Sequence, residues 1–228
     1  MDELKQRLQD FYETKLGFIT ANNKKLRLGI TTGTVATAVS KAAVMFILDR
    51  QQRKYVNIKT MSGKNIDVLI ERYEEENEQA IVYARKYAGD DIDATNLALI
   101  YAKVRKRDDG KINITGGKGV GVVTKDGLDI KVGQSAINVK PRENIIEEIR
   151  SLTDIGFDII ICVEDGEIIA KKTFNERLGI INGISIIGTT GIVEPMSVEA
   201  LKSSIEKEIR VKAEKNDKIV LSFGNMGE

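Results

Sequence analysis

Residues 28–35, LGITTGTV, and 186–193, IIGTTGIV, repeat one short phrase. Each copy joins an apolar stretch to a helix-forming one. A loop of this kind offers backbone N–H groups, hydroxyls (Thr31, Thr32, Thr34; Thr189, Thr190) and the positive end of a helix dipole. All three suit a bound anion such as a carboxylate or a phosphate. Gly33 and Gly191 let the backbone approach a ligand closely. Two like loops suggest one shared ligand site, and the competing reading of each is a tight strand-to-helix turn. Eight echoed residues are too few to establish duplication, which needs a period sustained over several units.

Three further groups could carry chemistry. Asp90 and Asp91 follow Gly89, with Asp93 close behind. The spacing is not that of an EF-hand, so the group reads as a capped turn or as carboxylates that orient a cation or act as general base. Gly116, Gly117, Gly119 and Gly121 surround a lysine, but no Ser or Thr follows it as in a Walker loop, and a dinucleotide turn has other spacing. Such a run suits a bulge or a flat ligand lying against bare backbone. Asn175, Arg177 and Glu194 flank the second loop. Arg177 suits bidentate carboxylate binding, and surface or capping roles compete for all three.

The elements that must position these groups read from pattern. Leu4, Leu8, Phe11, Tyr12 and Leu16 predict an amphipathic helix ending near Gly17, for packing or for homo-oligomer contact. An Ala-rich helix over 35–48 is apolar except for Thr37, Ser40 and Lys41, and so is buried. Residues 55–61 and 66–71 read as a hairpin, 74–78 as a charged turn, and 79–87 as a strand. Residues 97–104 read as a strand, with helix the alternative over 94–105, and form a second hairpin with 111–115. A short strand near Val122, a helix from Pro141 to 152, and strands over 157–163 and 167–172 follow. Residues 178–187 read as a buried strand broken by Gly179 and Gly183. Ser197 caps a helix carrying Val198, Leu201, Ile205 and Ile209, and 219–223 is a last strand. The fold class is α+β: a strand-rich mixed core with helices packed on it, then the start of a βαβ unit. The expected parts are a helical extension over 1–25, an α+β domain over 26–172 and an α/β segment over 173–228.

Composition excludes several classes. With 228 residues the chain can bury a core, and 35 Lys and Arg against 34 Asp and Glu leave a net charge of +1. Nucleic acid and anionic membranes need a basic footprint that this balance lacks. There is no histidine, which removes His-metal and Ser-His or Cys-His nucleophilic sites, and the single Cys162 lies in an apolar run that suits burial. The N-terminus lacks the apolar core of a signal peptide, and no later run reads as long enough to span a membrane, so the expectation is a cytoplasmic protein without a metal site of its own.

The phrases LRLGITTGT, AGDD, GGKGVG, AIN followed by PR, and KTFNERLGI through GTTGIVEPMS resemble the cobalt-precorrin-5B C1-methyltransferase family (CbiD type) of anaerobic cobalamin biosynthesis. The resemblance runs from Leu26 to the end and implies S-adenosylmethionine as methyl donor and a tetrapyrrole acceptor, with cobalt arriving as part of that substrate. The acceptor's acetate and propionate arms would use the Gly-Thr loops and Arg177. Gly224 and Asn225 would belong to the same binding surface, and Asp90, Asp91 and Glu194 are the candidates for a catalytic carboxylate. The family usually has cysteine at Val35, proline at Ile92 and histidine at Asn96, so no catalytic role is expected there. Members continue past Gly-Asn-x-Gly, and the expectation is a truncated chain with little turnover alone. The rival function is a non-catalytic tetrapyrrole- or carboxylate-binding module.

Overall fold

The computed structural model describes residues 2–21, 23–214 and 218–220. In chain order, α1 (Asp2–Leu16) leads into β1 (Phe18–Ala21), β2 (Lys24–Arg27), β3 (Gly29–Ile30) and α2 (Thr32–Asp49). Then come β4 (Tyr55–Lys59), β5 (Asn65–Leu69), β6 (Arg72–Glu76), β7 (Gln79–Arg85), β8 (Leu99–Arg107) and β9 (Ile112–Gly116). The remainder is β10 (Gly119–Val120), β11 (Val122–Val123), α3 (Val139–Arg150), β12 (Gly156–Val163), α4 (Gly166–Ala170), β13 (Ile180–Ile181), β14 (Gly183–Ile184), β15 (Ile192–Val193) and α5 (Val198–Ala213). Helices and strands of a mixed sheet make this an α+β fold.

Helix α2 is the centre. It starts at Thr32, three residues before the expected start, because the Thr31 hydroxyl accepts the Thr34 N–H at 3.1 Å and caps the first turn. Its Ala-rich surface lets β7, β8 and α3 approach closely. The buried Thr37 and Ser40 hydroxyls bond the carbonyls of Gly33 and Ala36 one turn back, which satisfies them inside the helix. Length and a hydropathy of 1.2 qualify α2 as a membrane span by composition, against the expectation from sequence. However, 72% of that window is buried inside the protein. The apolar surface is a core helix's.

Against α2 lies a five-stranded sheet in the order β6-β7-β8-β12-β9. Register puts Ala80, Val82 and Ala84 opposite Val104, Ala102 and Ile100, and these in turn opposite Ile159, Ile161 and Val163. All nine are buried. On the other face Tyr83 stacks on Tyr101, with centroids 4.8 Å apart. One face is packed and the other half-solvated, which is why these strands alternate in sequence.

Several expectations are corrected. Residues 111–115 do not form a hairpin with the preceding strand: β12 lies between β8 and β9, antiparallel to the first and parallel to the second. Phe157, Ile159 and Ile161 are fully buried and demand the central position, while the half-exposed β9 takes the edge. Residues 74–76 lie in β6, and the turn is confined to Asn77 and Glu78, both at positive φ. Residues 166–170 form the short helix α4 where a strand was expected, with Ile168 and Ile169 N–H groups bonding the Asp165 carbonyl. The apolar run 178–187 is two two-residue strands. Asn182 at φ 63° kinks it, and Gly183 packs on the Gly119 backbone. Of the expected last strand, residues 221–223 lie outside the described residues, and Ile219 and Val220 have no regular structure.

At the N-terminus α1 buries Leu8 and Tyr12, and Tyr12 stacks on Tyr87 at 5.2 Å. The Leu69 N–H donates to the Tyr12 hydroxyl, and Lys15 pairs with Asp67 at 2.7 Å. At the other end α5 is capped as expected, the Ser197 hydroxyl accepting the Ala200 N–H. Its Val198, Leu201 and Ile205 are nevertheless exposed among the described residues, and Val211 is the buried contact, next to Gly127.

Candidate functional site

The two Gly-Thr loops meet, and they meet by bonding to one another. Gly33 N–H, in the first turn of α2, donates to the Ile187 carbonyl at 2.9 Å. Thr31 N–H and the Thr34 hydroxyl both donate to the Gly191 carbonyl, at 3.2 and 2.5 Å. The Thr32 hydroxyl accepts the Ile187 N–H at 2.9 Å and lies 3.2 Å from the Ser185 and Ile187 carbonyls. One step further, β15 pairs with β3, setting Ile192 opposite Ile30. The Thr31, Gly33 and Thr34 N–H groups at the start of α2 are thus engaged by protein groups, and Thr32 and Thr34 are buried. Glycine is needed on both sides for this approach. A Cβ on Gly33 would stand 2.8 Å from Pro141, and one on Gly191 would stand 2.8 Å from Thr60 at a φ of 86°. What remains outward is the crest of the second loop: Thr189 and Thr190 are exposed, with Ile187 and Glu194 beside them.

The Asp loop joins the same region. Ile30 N–H donates to the Tyr87 carbonyl, Asp90 N–H to the Arg27 carbonyl, and Gly29 packs directly on Ala88. Asp90 is clamped by Arg27 through Nε at 3.0 Å, Nη2 at 2.5 Å and the backbone N–H at 2.7 Å. Those hydrogen bonds hold the Asp90 carboxyl below its ordinary pKa. Asp93 sits beside the buried Lys86. Burial opposes its charge, but Lys86 and the two Thr95 donors outweigh burial and its pKa falls too. Asp91 is different: among the described residues its carboxylate accepts one hydrogen bond, a 3.4 Å contact from the Met196 N–H, just before α5. Met196 has φ 61°, a strained conformation for that side chain, and this contact helps to hold it. Between the Asp loop and α1 lies a cleft of about 280 Å³.

The other sequence candidates lie apart from these loops. Gly116, Gly117, Gly119 and Gly121 face protein: Gly116 N–H bonds the Ser135 hydroxyl at 3.0 Å, Gly117 meets Cys162, Gly119 meets Val163 and Gly166, and Gly121 meets Ile180 and Gly183. Arg177 is exposed, 5.4 Å from the Phe174 ring centroid and within electrostatic reach of Glu208 on α5. It has no hydrogen bond to either loop among the described residues. Asn175 is buried and bonds the Gly183 carbonyl at 3.0 Å. Gly224 and Asn225 lie outside the described residues. Sequence reasoning missed Arg27, which precedes the first loop by four residues yet pairs with a carboxylate 63 positions on. It also missed Lys5, Tyr87 and Asn96 as lining of the cleft.

An α+β protein whose two Gly-Thr turns interlock beside an arginine-clamped Asp loop is the class that fold and site define. The family model CbiD matches residues 19–195, and the chain belongs to that family. It is 48% identical over 213 residues to a protein of Clostridium perfringens (strain 13 / Type A) named cobalt-precorrin-5B C(1)-methyltransferase, covering 92% of this chain and 58% of that one. A Salmonella heidelberg (strain SL476) protein of the same name is 44% identical over 210 residues, covering 91% and 55%. A crystal structure of a cobalamin biosynthesis protein (cbiD) from Archaeoglobus fulgidus superposes with a TM-score of 0.62 at 32% identity, covering 87% of this chain and 66% of that one. The chain therefore spans little more than half the length of the curated relatives it matches.

Proposed function

We propose that this chain carries part of a C-methyltransferase that methylates C1 of cobalt-precorrin-5B, giving cobalt-precorrin-6A, with S-adenosylmethionine as donor, in the cytoplasmic pathway to cobalamin. The observation that carries the reading is 48% identity over 92% of the chain to a protein of that name. The fold agrees with it physically. An acceptor of this class is a large, flat, polycarboxylate ring. The outward crest of the second Gly-Thr loop offers such a ring the Thr189 hydroxyl beside the apolar Ile187, while the Thr190 hydroxyl is held by the Ile192 carbonyl at 3.0 Å.

The donor supplies a methyl group on a sulfonium. The chain's residues position the acceptor, exclude water and accept or hold a proton. Arg177 suits an acceptor carboxylate as a charge-assisted partner. Asp90 is tied by Arg27, which makes it a positioning residue for the loop. That leaves Asp91 and Glu194 as the carboxylates with room to act, Glu194 being exposed. Cobalt belongs to the acceptor. The test is incubation of the chain with cobalt-precorrin-5B and S-adenosylmethionine, reading the gain of one methyl group by mass spectrometry. Binding of the corrin precursor without methyl gain would instead favour a non-catalytic binding module.

A further inference from the structure

The cleft beneath α1 is built unlike the interlocked loops: its polar groups are open. Tyr87 is only 4% exposed and its ring stacks on Tyr12, yet among the described residues its hydroxyl makes no hydrogen bond, although the residue lines the cleft. Burial raises the pKa of that hydroxyl, so it stays a neutral donor at physiological pH. Asn96 also lines the cleft. Its Oδ1 accepts the Ala88 N–H, and its Nδ2 has no partner among the described residues. Lys5 reaches in from α1, making no side-chain hydrogen bond among the described residues, with its charge near Asp90. These three are donors. On the acidic side stands Asp91, with its single long contact from the Met196 N–H, while Asp90 is neutralised by Arg27. Glu13, on α1, faces Tyr87 and Arg27 electrostatically and adds negative charge.

Such a lining is balanced in charge and two-sided. A simple anion would meet Asp91 in the lining; a simple cation would leave the Lys5, Tyr87 and Asn96 donors unmatched. We infer that this cleft binds the zwitterionic end of an α-amino acid, its carboxylate on Lys5, the Tyr87 hydroxyl and Asn96 Nδ2, and its ammonium on Asp91. The group has two chemical sources: a free amino acid, or the aminocarboxypropyl tail of a sulfonium methyl donor. The second source, and only that, rests on the methyltransferase reading. Lys5 belongs to a helix that precedes residues 19–195, the part matched by the family model. The site therefore uses a helix of this chain that lies outside the matched family region.

The test is calorimetric titration of the 228-residue chain with methionine, S-adenosylmethionine and methylthioadenosine, which lacks the amino-acid group. Methionine and S-adenosylmethionine should bind, and methylthioadenosine should not. Tyr87→Phe keeps the ring on Tyr12 and removes one donor to a charged group, so it should weaken both by about ten- to a hundredfold with an unchanged melting temperature. Lys5→Ala should weaken them in the same direction. Methionine binding that depends on Tyr87, without binding of S-adenosylmethionine, upholds the amino-acid site and removes the methyl donor as its source. Failure of both amino-acid compounds to bind, or equal binding by Tyr87→Phe and Lys5→Ala, overturns the proposal, as does binding of methylthioadenosine alone.

Discussion

The sheet packed on α2 and the glycine-rich part built from β10, β11, β13, β14 and β15 solve the same problem in opposite ways. In the first, side chains fill the space: Val82, Ala102 and Ile161 lie in one register row, all fully buried against the core. In the second, backbone meets backbone. Gly119 packs on Gly166 and Gly183, Gly121 on Gly183, and strands two residues long replace ladders. Side-chain packing writes itself into sequence as a period; backbone packing writes only glycines, which do not say what approaches them. The Gly-Thr loops belong to the second kind. Their hydroxyls and N–H groups, which resemble an anion site in sequence, are used to join two distant segments.

The largest effect should come from breaking the polar tie inside the first region. Lys41 bonds Glu148 at 2.6 Å, and the other Glu148 oxygen accepts the Lys59 N–H at 2.8 Å, linking α2, α3 and β4 in a nearly buried setting. Glu148→Ala leaves the Lys59 N–H without a partner and the Lys41 charge without its counter-ion, held only by the Asn57 carbonyl at 2.8 Å, and should cost about 3–5 kcal/mol in urea unfolding. Lys41→Met together with Glu148→Leu should cost much less, because no charge is left stranded.

Next comes a direct comparison of glycines. Gly119→Ala meets backbone at a φ of 76° and should destabilise by about 1–3 kcal/mol through overpacking, with left-handed strain added. Gly63→Ala, at φ 81° in the β4–β5 turn with nothing near its Cβ, should cost only the strain, about 1–2 kcal/mol. Equal losses would mean that close approach does not hold the glycine-rich part together.

A smaller effect is pH-dependent. The folded pKa of Asp90 is depressed by Arg27, so its contribution is fully present above the ordinary carboxylate pKa of about 3.9 and is lost as pH falls through the lower folded value. Asp90→Asn should therefore lower stability at neutral pH and flatten the acid side of the stability profile. An unchanged acid slope would remove Asp90 as a clamp.

These contrasts mark what was legible in sequence. The burial of α2 was readable because apolar residues on every side leave no solvated face, and Ser197 announced its helix by the capping side chain. The position of β12 between β8 and β9 was not, because a neighbour strand 40 or more residues away leaves no local signature and a nearby hairpin partner looks equally good. Arg27 with Asp90 failed for the same reason, and the open Tyr87 hydroxyl is visible only once its ring is seen to be buried. The Gly-Thr echo suggested one shared ligand site; the two loops meet by bonding to one another, and which of their groups face outward is a tertiary fact. Of those groups, Thr34 is buried and bonded to Gly191, whereas Thr189 is exposed and makes no hydrogen bond among the described residues.

The most direct measurement sets Thr34→Val beside Thr189→Val, each followed by thermal unfolding and by spectroscopic titration with a cobalt-corrin precursor. Thr34→Val should lower the melting temperature, since the Gly191 carbonyl loses the shorter of its two hydrogen bonds and keeps only the Thr31 N–H, at a cost of about 0.5–1.5 kcal/mol. Thr189→Val should leave melting unchanged and weaken binding by about tenfold or less. The opposite assignment, with Thr34→Val melting like the parent but losing the corrin, would contradict the division between a bonded inner face and a ligand-facing crest.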